Sequence, residues 1–426
     1  MELSLLFLIA FYLLWVLFFL FFDSAFKNID IPIDNSIQLP TDVLMVENMI
    51  LVFICSTIAS FLISGLIVRL ANHHQLLATD RFIGKVQAFH LTPTPRIAGI
   101  AIFIAALSGS VLWSSLDETQ LYKNVCFISL IIASIPAFCG GLIEDIYHNL
   151  SAAQRLLLTM ISTAIAACII DQGFTLYHVD VTWIDKLLSI EVILILFTSF
   201  AVVGFTNAIN IIDGYNGLAS GVMVVGLTAI TIASFLVNDL MIATTSIIMI
   251  GAILGFLLWN WPRGKIFLGD GGSYFIGFIS AELCMLFLHR NPAVSPWFPL
   301  AIFIYPILET LFTIYRRTFI HKKANTDPDA NHLHHLLFKF LLNKNQVKNI
   351  NYEADTAQFI NTCPSTLLKV NNRVAPWIWV ATAINSVLAM IFMDSTIVLM
   401  GLSLASCLIY ILSYNLMKTN KFDAFT

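Results

Sequence analysis

Residues 203–221 read VGFTNAINIIDGYNGLASG, and within them Asn207, Asn210, Asp213 and Asn216 recur every third residue where a long apolar run ends. At that spacing the side chains of 207, 210 and 213 share one face of a helix end. Amides offer donors and acceptors without charge, and a carboxylate beside them accepts from a ribose, a base or a metal-bound water. One asparagine at a helix end is ordinary capping. Three in this register exceed what a cap requires.

Four further stretches carry groups of similar promise. In CGGLIED (139–145) an apolar run ends in two adjacent carboxylates, Glu144 and Asp145, with Arg155 after a short turn. Adjacent like charges call for a divalent cation, a basic partner or a shared proton; a solvated helix end is the plainer reading. In WNWPRGKIFLGDGGS (259–273) a basic segment with Lys265 leads to Asp270 among glycines. Glycines allow close backbone approach, and amides at a helix start favour anions. An aspartate there suits a hard cation such as Mg²⁺ bridging to phosphate, although the same residues also make a flexible turn. In DPDANHLHHLL (327–337) His332, His334 and His335 lack the i, i+4 pairing of a helical zinc site. With Arg316, Arg317, Lys322 and Lys323 nearby they suit a pyrophosphate, or else anionic lipid head groups. In DRFIGKVQAFHLTPTPRIAG (80–99) Pro93 and Pro95 force an extended entry beside His90 and Arg96.

The elements that must position these groups are membrane helices. Of 426 residues, 58% are hydrophobic and 11% charged, with mean hydropathy +0.85, against roughly 25% charged in soluble domains. Twelve apolar runs of spanning length lie near 3–22, 50–70, 97–115, 124–143, 156–170, 188–206, 218–236, 241–259, 273–289, 297–315, 376–392 and 396–414, the fifth short enough to make eleven. The expected fold is an all-α polytopic membrane protein of 11 to 12 transmembrane helices in one integral domain. The run at 3–22 has no basic flank and no small-residue cleavage site, so it reads as a retained helix. The cysteines show no close pairing that would mark a disulfide framework or a zinc site.

Loops on one side hold Lys27, Lys123, Lys186 and Arg290, and the other side holds all the remaining Lys and Arg, including the long 316–375 loop. The positive-inside rule makes the rich side cytoplasmic. Every chemically dense loop falls on that side, which points to one active surface. A transporter would concentrate such groups near the bilayer midplane, and a scaffold displaying a basic loop would need none of them. Glu282, alone in mid-run, is expected to face a polar neighbour and is given no role; Glu309 lies near the inner end of its run.

Taken together, HLTPTPRIAG (90–99), GLIED (141–145), NAINIIDGYNGLASG (207–221), NWPRGKIFLGDGGS (260–273), PILETLFTIYRR (306–317) and HLHH (332–335) resemble, in order, the polyprenyl-phosphate N-acetylhexosamine-1-phosphate transferases of bacterial envelope synthesis. The resemblance covers roughly residues 50–415, leaving 1–48 as an extra N-terminal helix and loop. It implies a Mg²⁺-dependent enzyme, with Mn²⁺ as a substitute, in the bacterial inner membrane with its site facing the cytoplasm. Such an enzyme moves a sugar 1-phosphate, foremost N-acetylglucosamine 1-phosphate, from a UDP-sugar to undecaprenyl phosphate and releases UMP. The HLHH form and the two helices after it are similar to the branch that starts O-antigen, enterobacterial common antigen or teichoic-acid chains. The resemblance assigns Asp270 and Asp145 to the metal and Glu144, Asp145 and Asp213 to catalysis. Binding of nucleotide, sugar or pyrophosphate falls to His90, Arg96, Asn207, Asn210, Asn216, Lys265, His332, His334 and His335. Glu144, Asn216 and Glu309 stand where aspartate is usual, and Ala98 where glycine is common. Nucleic acid is not among the expected partners; a homodimer is compatible with the pattern.

Overall fold

A computed structural model describes residues 39–74, 94–116, 121–169, 175–321, 331–344 and 364–419. His90, the run at 3–22 and Lys322 and Lys323 lie outside the described residues. The chain divides into residues 1–50, described from the start of helix α1 (Leu39–His74), and Leu51–Thr426, which contains all the other helices.

Those helices are α2 (Gly99–Leu116), α3 (Leu121–Ala133), α4 (Ile135–Tyr147), α5 (Ala152–Ile169), the short α6 (Thr182–Leu188), α7 (Glu191–Ile212), α8 (Leu218–Leu236), α9 (Leu240–Asn260), α10 (Gly269–Arg290), α11 (Trp297–Ile302), α12 (Ile304–Tyr315), α13 (Leu333–Lys344), α14 (Pro364–Ile391) and α15 (Thr396–Lys418). A π-helical turn, Arg316–His321, continues α12. Among the described residues nine helices are long and apolar enough to cross a membrane, or ten if α3 and α4, bent by 44°, form one span. The protein is an all-α, multi-pass membrane protein.

Two of the twelve expected spans differ from a straight helix, for a shared reason. The run at 124–143 bends between α3 and α4, where Pro136 sits in the first turn and has no N–H to continue the ladder. The run at 297–315 breaks at Phe303, and Pro306 likewise cannot bond back across the break. Apolar composition sees neither event. Run ends also shift: α7 extends to Ile212, so Asn207 and Asn210 belong to its last turns rather than to a loop.

Helix α10 is the most enclosed, with 94% of its spanning window buried against 17% for α15. It packs against α4, α7 and α2. In lipid, apolar faces gain little by meeting, and close approach of small residues drives packing instead. A Cβ on Gly141 would stand 2.5 Å from the Asp270 backbone, and one on Gly99 would stand 2.4 Å from the Gly272 nitrogen. The end of α4 and the start of α2 therefore meet the start of α10 backbone to backbone. Glu282, in mid-α10, differs from expectation: both its carboxylate oxygens are buried without a hydrogen-bond partner.

Candidate active site

The site is built at the first turn of α10. Gly269, with φ of 75°, turns the incoming chain into the helix and leaves the amides of Asp270 and Gly271 pointing outward. Such amides have no partner within the helix and favour a negative charge. Asp145, from the last turn of α4, supplies the acceptors: the Asp270 N–H donates to Oδ1 at 2.9 Å and the Gly271 N–H to Oδ2 at 2.8 Å. Asp145 is 1% exposed, so its carboxylate closes the helix start from behind.

Asp270 itself faces forward. Its Oδ1 accepts from the Asn210 amide at 3.0 Å and lies 3.6 Å from the Arg96 guanidinium; its Oδ2 accepts from Arg155. The Asn210 amide also reaches Ser273 at 2.9 Å, and Asn207 accepts from the Tyr274 hydroxyl at 3.4 Å. Arg155 comes from the start of α5, where Ser151 and Gln154 form a reciprocal cap: the Ser151 N–H donates to the Gln154 side chain and the Gln154 N–H to Ser151 Oγ. Arg96 is held by an extended segment tied to the chain entering α10. There the Phe267 N–H donates to Pro95 O at 2.8 Å and the Ala98 N–H to Phe267 O at 3.3 Å. Two carboxylates and two guanidiniums thus share one helix start. At the end of α7, burial pushes the Asp213 carboxyl up to about 7; the Arg96 charge pulls it down and the Asp270 charge pushes it further up.

The histidines gather beside the same turn. His332 Nδ1 lies 3.0 Å from Glu309 Oε1, His334 Nδ1 is 3.1 Å from the Tyr305 hydroxyl, and His335 Nδ1 is 2.8 Å from the Tyr215 hydroxyl. A Cβ on Gly214, next to Asp213, would be 3.4 Å from His334 Nε2. Burial and its two histidine neighbours hold the His334 imidazolium pKa well below the usual value.

Of the residues singled out in the sequence, Asp145, Asp270, Arg96, Asn210 and Asp213 converge, with Asn207 one turn back and the histidines adjoining at Gly214. Others turn elsewhere. Glu144 Oε2 accepts from the Leu150 N–H at 2.7 Å, which closes the α4–α5 turn. Lys265 is exposed and stands 5.1 Å over the Trp259 ring. Asn216 is buried, its N–H donating to Asn371 Oδ1 at 3.1 Å and its amide to Asn372 Oδ1 at 3.2 Å. The chain reverses at 213–217, so the three-residue register does not carry to 216. Arg155, Tyr215, Tyr305 and Glu309 enter the site without having been assigned to it. For Arg155 the signal was present: Ser-Ala-Ala-Gln announces a helix start that places it close behind Asp145.

Among the described residues no three His, Cys, Asp or Glu side chains converge as a ready metal cage. The donors present fit a hard cation held by one forward carboxylate, Asp270, with its shell completed by phosphate oxygens and water. Asp145, 1% exposed and bonded to two backbone amides, stands behind that position, whereas Asp270 is bonded to side chains, Asn210 and Arg155, that can turn away.

Comparison with known proteins agrees with this geometry. The profile of glycosyl transferase family 4 matches residues 127–288, which hold Asp145, Arg155, Asn207, Asn210, Asp213 and Asp270. The chain is 30% identical over 292 residues to a probable undecaprenyl-phosphate N-acetylglucosaminyl 1-phosphate transferase of Bacillus subtilis, covering 68% of this chain and 77% of that protein. It is 28% identical to a decaprenyl-phosphate N-acetylglucosaminephosphotransferase of Mycobacterium leprae, over 68% of this chain and 76% of that protein. A phospho-N-acetylmuramoyl-pentapeptide-transferase of Staphylococcus carnosus is 28% identical over 46% of this chain and 63% of its own length. With a helix-start site of carboxylates, guanidiniums and amides inside the matched segment, the chain belongs to glycosyl transferase family 4, as a member of its polyprenyl-phosphate N-acetylhexosamine-1-phosphate transferases.

Proposed function

We propose that this protein transfers N-acetylglucosamine 1-phosphate from UDP-N-acetylglucosamine to undecaprenyl phosphate and releases UMP. The reaction takes place at the cytoplasmic face of a bacterial inner membrane and opens the synthesis of a cell-surface polysaccharide such as a lipopolysaccharide O-antigen. The names of the relatives support the sugar and the lipid class, and the loop charge pattern supports the orientation. The observation that carries the reading is the convergence on Asp270 of Asn210, Arg96 and Arg155, with the histidines beside the same turn.

A phosphate oxygen of the lipid attacks the β-phosphorus of the nucleotide sugar. A new P–O bond forms as the bond from that phosphorus to the bridging oxygen breaks, and UMP leaves with the bridging oxygen. Such a transfer asks for in-line positioning and for neutralisation of charge on the phosphate oxygens. Arg96 and Arg155 bring fixed positive charge to the place where the pyrophosphate lies, and the histidines add ring nitrogens. Asn207 and Asn210, on one face of α7, address the nucleoside or sugar. Asp270 is the residue that would hold Mg²⁺, or Mn²⁺ in its place, and such an ion would supply further neutralisation of phosphate charge. The acceptor phosphate has a second pKa of about 6 by analogy with phosphoserine, so it is mostly ionised at neutral pH. Asp213, titrating near 7, is the group suited to any remaining proton.

A panel of UDP-sugars supplied with undecaprenyl phosphate and purified protein tests the reading. UDP-N-acetylglucosamine should give the fastest lipid product, identified by mass. A faster product from UDP-N-acetylgalactosamine would overturn the sugar assignment and keep the reaction.

A further inference from the structure

We propose that the first part of helix α14 is a clamp on the site. Asn371, Asn372 and Pro376 are positioning residues that hold the 213–217 turn, which carries Asp213, against the 259–268 segment, which leads into Asp270. What the clamp serves rests on the transferase reading; the clamp itself rests on hydrogen bonds.

It follows from one proline. Pro376 lies inside α14 and has no N–H, so the carbonyl of Asn372, four residues back, loses its helical partner and is pushed outward by the ring. The Trp261 indole N–H donates to that carbonyl at 3.1 Å, which ties the 259–268 segment to α14. At the same level of the helix, two side chains reach the other loop. The Asn216 N–H donates to Asn371 Oδ1 at 3.1 Å, and the Asn216 amide donates to Asn372 Oδ1 at 3.2 Å. Asn216 and Asn371 are each 2% exposed, so water does not replace a bond lost there.

A second set of bonds joins the two loops to each other. The Trp379 indole N–H donates to Gly217 O at 3.0 Å, the Gly217 N–H to Asn260 Oδ1 at 2.6 Å, and the Asn260 amide to Ile266 O at 2.8 Å. The Trp261 and Trp379 rings meet edge to face with centroids 5.2 Å apart. On the far side of the turn the Tyr215 hydroxyl stands 2.8 Å from His335 Nδ1, so the turn is gripped between α13 and α14. The charge of Asp270 acts on the Asp213 carboxyl. The separation of the two loops is therefore a property of the site, and α14 sets it.

NMR of the indole N–H groups, on the full chain in detergent with nitrogen-labelled tryptophan and with Trp261→Phe and Trp379→Phe for assignment, reads these bonds directly. Pro376→Ala returns an N–H to the helix and closes it over Asn372 O. The Trp261 indole proton should then move toward its unbonded position, while Tm stays the same or rises because a proline has left a helix interior. Turnover should fall by up to about a hundredfold, the scale of an ångström-sized misplacement, with a smaller change in KM for the nucleotide sugar. Trp261→Phe keeps a ring and removes only the donor; it should lower kcat similarly, and the double variant should be no worse than either single one. Asn371→Leu should also lower kcat, whereas Asn371→Asp, which still accepts from the Asn216 N–H, should keep most of it. An unchanged Trp261 signal in Pro376→Ala, full turnover once that signal has moved, or additive losses in the double variant would overturn the proposal. A lower Tm with a proportionate loss of activity in all these variants would reduce α14 to a packing element. If the unmodified protein releases no UMP, the transferase reading falls while the indole signals still decide the bonds.

Discussion

Asp145 and Asp270 lie at the same helix start but do different work there. Asp145 spends both oxygens on backbone amides of α10, whereas Asp270 turns its carboxylate to Asn210 and two arginines. Asp145→Asn puts an amide donor against an N–H, and should cost about 1–3 kcal/mol of stability, read as a lower Tm in detergent, together with a loss of turnover. Asp270→Asn should keep Tm and cut UMP release by at least about a hundredfold, the scale of removing a transition-state electrostatic group. Equal Tm losses in both would contradict the division. Asp213 gives a pH test. Its carboxyl is raised from 3.8 to about 7 in the folded chain. The folded state therefore holds a proton that the unfolded state releases, and this contribution is complete below about pH 4 and is lost as pH rises through 7. Asp213→Asn should flatten the fall of Tm over that window. It should also remove a rise of kcat/KM through about pH 7 that the unmodified protein shows.

At the scale of elements, the approach of α4 to α10 sets where these carboxylates stand. Gly141→Ala pushes a methyl into the Asp270 backbone, which cannot yield as a flexible side chain would, and should cost about 1–3 kcal/mol with a matching loss of turnover. Gly204→Ala in α7, where a Cβ meets nothing within 4 Å, is the control and should be neutral. The membrane helices and the motif ends were legible because apolar run length fixes a span and carboxylates at run ends are conspicuous. What depended on chain reversal was not. Asn216 continues the spacing of Asn207 and Asn210, yet the turn at 213–217 points it into α14. Lys265 lies between Trp261 and Asp270 in sequence, yet stands over Trp259. Glu144 and Asp145 read as a pair in sequence, but neighbours on a helix point about 100° apart, and only one of them faces α10. Glu309 is visible as a residue at the inner end of a run, but its partner His332 arrives from the bend just before α13.

For the whole molecule, the site ends of α4, α7, α9 and the start of α10 all lie on one side of the bundle, so orientation in the membrane decides which pool of nucleotide sugar is used. In a cysteine-free background, Tyr147→Cys and Trp183→Cys, at positions 68% and 67% exposed on opposite ends, should respond oppositely to an impermeant thiol reagent applied to intact cells. Position 183 should label and position 147 should not; the reverse would place the site outside. The most direct measurement follows the β-phosphorus itself. Purified protein in liposomes with undecaprenyl phosphate is given UDP-N-acetylglucosamine labelled at that atom, and lipid and water phases are separated. The label should move into the lipid fraction as unlabelled UMP appears in the water phase. Label retained in released UDP, with unphosphorylated sugar on the lipid, would contradict sugar-phosphate transfer.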